Sequence, residues 1–229
     1  MGDINQLIYM RKYRELLKGP FLEIGSRDYG NTQDFRSLFA GRGEYIGVDM
    51  QDGPGVDIVL DLTGDFQEID AALGGRRFAT IICLSVLEHC EQPFKMAENL
   101  TLLLERKGWI CIGVPFSWQV HAYPSDYWRF TPEGVKKLFP GIDFDLEQSF
   151  AATSKENEFQ KLDDEFGKIT FSFSSHRKGG HIVRGISAKF LKTLSRFGVF
   201  RWLAGYRYVF APTCILMMGK PRDAEEGRS

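Results

Sequence analysis

Glu23-Ile24-Gly25-Ser26-Arg27-Asp28-Tyr29-Gly30 is the stretch that decides the fold of this chain. The residues leading into it, Phe21-Leu22-Glu23-Ile24, form a short apolar run, the pattern of a strand buried on both faces. Gly25 permits a tight bend and lets the backbone approach a ligand. A helix starting after such a turn offers unpaired N–H groups. A second apolar run, Tyr45-Ile46-Gly47-Val48-Asp49, ends on an acid. A carboxylate about 20 to 26 residues after a glycine turn can accept both hydroxyls of a ribose.

The same alternation continues outward. Residues 56–61 repeat the strand-then-acid pattern and end on Asp61, residues 78–84 are continuously apolar, and residues 109–114 run up to Pro115. Helical stretches fall between them at 32–40, 66–73 and 93–104, the last with Pro93 near its start. Short apolar strands alternating with helices predict an α/β, Rossmann-like doubly wound fold with a mostly parallel sheet. Ligands of such sheets bind at the carboxyl ends of the strands. Those ends carry Gly25, Asp49, Asp61, Ser85 and Pro115.

The flanks are less regular. Upstream, Asp3 is placed to cap a helix with Ile4, Leu7, Ile8, Leu16 and Leu17 as its apolar positions, stopped by Gly19-Pro20. Downstream, Thr131-Pro132-Glu133-Gly134 opens another helix, 144–150 reads as a strand, and 208–218 as the final strand, interrupted by Pro212. Residues 151–205 then form an inserted C-terminal lid or helical segment before the last strand, within a single domain spanning 1–229.

Charge sets the C-terminal part aside. Residues 1–167 hold 17 basic and 27 acidic side chains, whereas 168–222 hold eleven Lys and Arg and no acid, although the whole chain balances at −1. Such a split suggests that the C-terminal part faces something anionic. Cys83, Cys90, Cys111 and Cys214 form no C-x-x-C pair and read as small buried hydrophobes in a reducing compartment. The first 18 residues are too polar for a signal peptide, and no apolar run approaches the ~20 residues that span a bilayer. The expected location is cytoplasmic, with the inner membrane surface open as a peripheral site.

Five motifs in order, Glu23-x-Gly25, Tyr45-Ile46-Gly47-Val48-Asp49, Asp61-Leu62, Leu84-Ser85-Val86-Leu87-Glu88-His89 and the stretch from His121 to Pro132, resemble the class I S-adenosylmethionine-dependent methyltransferases, in particular the small-molecule and sugar group. The resemblance covers about residues 19–140. It implies S-adenosyl-L-methionine as cofactor and a role for each residue. Glu23 would orient the glycine turn or reach the methionine amino group through water, and Gly25 would lie against the methionine part. Asp49 would hold the ribose, Asp61 the adenine amino group with Leu62 donating from its backbone, and Ser85 would face the sulfonium. Arg27 and Asp28 stand where the family usually carries more glycine.

Methyl transfer from a sulfonium is an in-line displacement, and an oxygen acceptor must also lose its proton. His121 is the first candidate for that base and Asp126 the second. Glu88 and His89 read equally as caps of the helix at Pro93 or as functional groups, and Arg129 as an ion-pair partner. No G-x-x-x-x-G-K-[ST] occurs, and no Asp/Asn-Pro-Pro-aromatic segment follows the strand at 78–84, so neither a P-loop enzyme nor methylation of a nucleobase amine is expected. Nucleic acid is not an expected partner. No paired His or Asp-Asp cluster of the metal-dependent O-methyltransferase kind stands out, and no metal is expected. The acceptor expected is the hydroxyl of a small molecule, saccharide or glycoconjugate. Two rivals stand beside this reading. One is an NAD-dependent sugar-nucleotide oxidoreductase, which lacks here its G-x-G-x-x-G turn and Tyr-x-x-x-Lys pair, and the other is a catalytically silent methyltransferase-like binding subunit.

Ile186, Phe190, Leu191, Leu194 and Phe197 recur at helical spacing, with Lys189, Lys192 and Arg196 between them and Phe200, Trp202 and Leu203 beyond. The segment 186–203 reads as a lid helix, as a peripheral contact on an anionic membrane, or as a grip on an anionic acceptor.

Overall fold

The computed structural model describes residues 4–30, 32–121, 125–162, 166, 173–178, 182–198 and 212–222. They divide into two compact units, one of Met1–Asp163 with Thr213–Ser229 and one of Asp164–Pro212.

The larger unit is built on strands β1 (Phe21–Ile24), β2 (Tyr45–Asp49), β3 (Ile58–Val59), β4 (Phe78–Leu84), β5 (Leu104–Pro115), β6 (Ile142–Phe144), β7 (Phe150–Ala152), β8 (Phe159–Lys161) and β9 (Cys214–Pro221). Its helices are α1 (Ile4–Tyr13), α2 (Phe35–Leu38), α3 (Phe66–Ala72), α4 (Pro93–Leu103) and α5 (Pro132–Leu138). One sheet runs β3-β2-β1-β4-β5-β9-β7-β8, with β6 also on β9. The pairings from β3 to β5 are parallel, while β9 runs antiparallel to β5. This is the doubly wound, mostly parallel sheet that the apolar runs predict.

The central strands lie between layers, which is why their sequences are continuously apolar. Ile81, Ile82, Cys83, Ile110, Cys111 and Ile112 are almost fully buried. All four cysteines are buried and none is in a disulfide. Among the described residues, no helix is long and apolar enough to cross a membrane.

Three flanking elements differ from expectation. The inward face of α1 carries Asn5, Gln6, Tyr9 and Met10, while Ile4 is exposed. Polar residues are tolerated there because each finds a partner: Asn5 Nδ2 donates to the Thr153 and Lys155 carbonyls (2.9 and 3.0 Å) and Tyr9 donates to the Gln148 carbonyl (2.7 Å). The strand read over 144–150 is two short strands, β6 and β7, separated by a 3-10 turn at Leu146–Gln148 in which Asp145 accepts from the Glu147 amide (2.9 Å). Residues 150–152 and 159–161 belong to the main sheet, so the segment set apart begins later than 151. Asp3, Phe200, Trp202 and Leu203 lie outside the described residues.

The smaller unit contains α6 (Phe173–Lys178) and α7 (Ile182–Leu194). Ala188 is buried, whereas Ile182, Val183, Ile186 and Phe190 are 53–77% exposed, as is Phe197 just beyond the helix at 62%.

Candidate functional site

The parallel order β3-β2-β1-β4-β5 places the strand ends side by side, so residues far apart in sequence share one edge. A cavity of about 750 Å³ opens along it, lined by Glu23, Gly25, Asp49, Asp61, Leu62, Ser85, Glu88, His89 and His121 among others. Asp126 does not line the cavity but stands directly behind His121.

Gly25 occupies φ +71°, a backbone conformation that costs little only for glycine, and a Cβ there would come within 2.6 Å of Val86 Cγ2. Beside it, Asp49 Oδ1 accepts from the Gln51 amide (2.9 Å) and Oδ2 from the Arg27 amide (3.4 Å). Asp61 Oδ1 accepts from the amide and hydroxyl of Thr63 (2.8 and 2.7 Å). Helix α3 is capped by Asp65. Asn99, fully buried, donates to the Leu62 and Gly64 carbonyls (2.8 and 3.0 Å) and fixes the loop that follows Asp61.

Glu23 is held by Tyr45, whose hydroxyl donates to Oε2 (2.8 Å). Burial outweighs that hydrogen bond and pushes its carboxyl up to about 7. Ser85 is a non-glycine residue at φ +57°. Its amide donates to the Gly113 carbonyl (2.8 Å), and Gln6 Nε2 from α1 donates to its Oγ (2.7 Å). Strained residues of this kind persist only where the surroundings over-determine them. Gln6 is a cavity residue that the sequence hid, because it sits on an inward helix face read from apolar spacing alone.

A second constellation follows β4. Helix α4 starts at Gln92 without a side-chain cap, so neither Glu88 nor His89 caps it. The Glu88 carbonyl accepts the Tyr127 and Trp128 amides (2.8 and 3.3 Å), and Trp128 Nε1 donates to the Cys90 carbonyl (2.8 Å). These bonds tie the segment at 125–130 to the turn after β4. His89 Nδ1 lies 2.6 Å from the Ser125 carbonyl. A carbonyl can only accept, so Nδ1 carries the proton and Nε2 keeps its lone pair. His121 Nδ1 lies 3.1 Å from Asp126 Oδ2 and 3.3 Å from the Gln119 carbonyl, both acceptors, so Nδ1 carries a proton there too. The two rings meet edge to face at 4.9 Å.

Asp126 is gripped by Arg129 through both oxygens (2.5 and 2.7 Å), and that hydrogen-bonded ion pair holds its carboxyl far below the usual range. Arg129 also donates to the Trp118 and Gln119 carbonyls, so the ion pair expected of it does structural work on the loop that carries His121. Glu88, 1% exposed, has no partner at Oε2 among the described residues, and burial pushes its carboxyl up to about 8.

No protein-family model matches the chain, and no curated protein matches it in sequence. Solved structures do match. A SAM-dependent methyltransferase from Archaeoglobus fulgidus is similar at 16% identity over 94% of each chain, with a TM-score of 0.54. A SAM-dependent methyltransferase from Anabaena variabilis is similar at 12% identity over 97% of this chain and 86% of that one, with a TM-score of 0.53. The 1,6-didemethyltoxoflavin-N1-methyltransferase of Burkholderia thailandensis, crystallised with 1,6-didemethyltoxoflavin and S-adenosylhomocysteine, is similar at 11% identity over 96% and 79%, with a TM-score of 0.51. The likeness is one of architecture, and the chain therefore has the Rossmann-like fold of class I methyltransferases.

Proposed function

We propose that this chain is an S-adenosylmethionine-dependent methyltransferase that methylates a hydroxyl of a small-molecule or saccharide acceptor. The observation that carries the reading is the order of side chains along one cavity. Asp61, Asp49, Gly25 and Ser85 follow the sheet from β3 to β4, and Glu88, His89 and His121 come next. Adenine at Asp61 and Leu62, ribose at Asp49 and the methionine part over Gly25 bring the sulfonium to Ser85. The methyl group then faces the Glu88–His89–His121 cluster.

The cluster supplies what an oxygen acceptor needs, a place for its proton to be drawn off as the carbon–oxygen bond forms. In its neutral form His121 carries the free lone pair on Nε2, with Asp126 close behind the ring. Asp126, engaged on both oxygens by Arg129, is a positioning residue rather than the base. Replacing His121 with Asn should lower turnover by about 10²–10⁴-fold while affinity for S-adenosylhomocysteine is unchanged. Turnover within a few-fold of the unsubstituted enzyme would remove His121 from the chemistry.

The exposed apolar residues of α7, interleaved with Lys189 and Lys192 and followed by Arg196, favour a second property, attachment of the smaller unit to an anionic surface or anionic acceptor.

A further inference from the structure

We propose that Glu88, His89 and His121 form a binding site for a divalent transition-metal ion, zinc being the best match, and that the acceptor hydroxyl is activated on that ion. The inference rests on the methyltransferase reading of the same cavity and adds to it a cofactor and the way the acceptor proton becomes acidic.

One potential ligand atom from each residue lies within 4.8 Å of the others. Two atoms bonded to one ion at about 2.1 Å, at tetrahedral angles, stand about 3.4 Å apart. Side-chain movement on the order of 1 Å therefore closes the set on an ion. The rings are already prepared. Each histidine has its Nδ1 proton engaged by a carbonyl, that of Ser125 for His89 and that of Gln119 for His121, which leaves Nε2 as the ligating atom. This outer layer of hydrogen bonds is the arrangement that orients metal-binding imidazoles, and the Asp126 carboxylate stands beside the His121 ring with Oδ2 3.1 Å from Nδ1. His89 Nε2 lies 4.0 Å from Glu88 Oε1.

The independent observation is Glu88 itself. A carboxylate 1% exposed, with an unpartnered oxygen, stands in the cavity wall. Arg129, a nearby cation among the described residues, is committed to Asp126 and to loop carbonyls. Its charged form is costly at such burial unless a cation meets it. A divalent ion between Glu88 and two neutral imidazoles meets it directly. Two nitrogens and one carboxylate suit zinc or its first-row neighbours, whereas calcium and magnesium take oxygen ligands. Three protein ligands leave coordination positions open toward the cavity, as in catalytic rather than structural sites.

The reaction balances without a further reactant. With the ion bound, His121 serves as its ligand and not as the base, and the acceptor hydroxyl, bound to the ion, releases its proton to solvent. The oxygen lone pair then forms the new O–CH₃ bond as the S–CH₃ bond breaks and its electron pair returns to sulfur. The products are a methyl ether, neutral S-adenosylhomocysteine and one proton. The ion's share is to lower the pKa of the bound hydroxyl.

The test uses the full chain, stripped with a chelator, then titrated with Zn²⁺, Mg²⁺ and Co²⁺ by calorimetry and visible absorption. S-adenosylhomocysteine is titrated in parallel. The expected result is one Zn²⁺ per chain, visible bands from Co²⁺, and affinity for Zn²⁺ at least 100-fold above that for Mg²⁺. His121→Ala and His89→Ala should each weaken Zn²⁺ binding at least 100-fold and leave S-adenosylhomocysteine affinity within a few-fold. Glu88→Gln, isosteric and uncharged, should abolish the rise in Tm that Zn²⁺ gives the unsubstituted chain. A chain that binds S-adenosylhomocysteine yet takes up no metal, or takes it up unchanged in His121→Ala, overturns the metal site and leaves the methyltransferase reading intact. A chain that binds metal but no S-adenosylhomocysteine overturns the reading on which the metal's role depends.

Discussion

Glu23 shows how one side chain serves both the site and the stability of the fold. Its carboxyl titrates near 7 in the folded chain against an ordinary value of 4.5, because burial disfavours the charged form more than Tyr45 and Arg36 favour it. The folded state therefore holds this proton where the unfolded state has released it. The stabilisation is complete below about pH 4.5 and is lost as pH rises to about 7, with an upper bound of about 3 kcal/mol. Glu23→Gln removes this titration. Urea unfolding from pH 5 to 8 should show a shallower decline in the variant than in the unsubstituted chain, with the share that belongs to Glu88 still present above pH 7. Superimposable profiles would show that Glu23 is charged and solvated in the fold. The acid itself was legible in the sequence. Its Tyr45 partner was not singled out, because two residues on neighbouring strands meet only once the β1–β2 register is set.

At the scale of elements, the turn after β1 concentrates two demands on one residue. Gly25→Ala forces a Cβ onto a left-handed backbone, worth about 1 kcal/mol or more, and drives it against Val86 at 2.6 Å. Thermal unfolding should show the single variant destabilised, and Val86→Ala in the same chain should recover the steric part but not the backbone part. Full recovery, or no loss in the single variant, would show that the turn relaxes freely. Strands β1, β2, β4 and β5 were readable because burial on both faces leaves only apolar residues to choose from, and the acids at their ends stand out against that background. Helix α1 is where the sequence puts it, but its inward face differs because Asn5, Gln6 and Tyr9 reach remote carbonyl or side-chain partners, which no local periodicity records. The break between β6 and β7 was missed because Asp145 and its 3-10 turn lie inside a run that reads as continuous. The Glu88–His89–His121 cluster left no spacing signal either. Its members sit on two loops brought together by the Glu88 carbonyl and Trp128.

For the molecule as a whole, the charge split has a measurable consequence. If the acid-free segment with its exposed Ile186, Phe190 and Phe197 attaches to anionic surfaces, replacing Lys189, Lys192 and Arg196 with Gln should weaken co-sedimentation with phosphatidylserine vesicles at low salt, and added salt should do the same to the unsubstituted chain. A chain that ignores such vesicles at low salt, and a triple variant with unchanged acceptor KM, would show that the segment serves neither purpose. The central claim concerns the larger unit and its cavity, and calorimetric titration with S-adenosylhomocysteine tests it most directly. One site per chain is expected, with Asp49→Ala losing about 1.5–3 kcal/mol of binding, roughly 10- to 150-fold in affinity, because the ribose hydroxyls lose their acceptor. A chain that gives no binding heat and no thermal shift with this ligand, or an Asp49→Ala variant that binds it as tightly as the unsubstituted chain, would contradict that prediction.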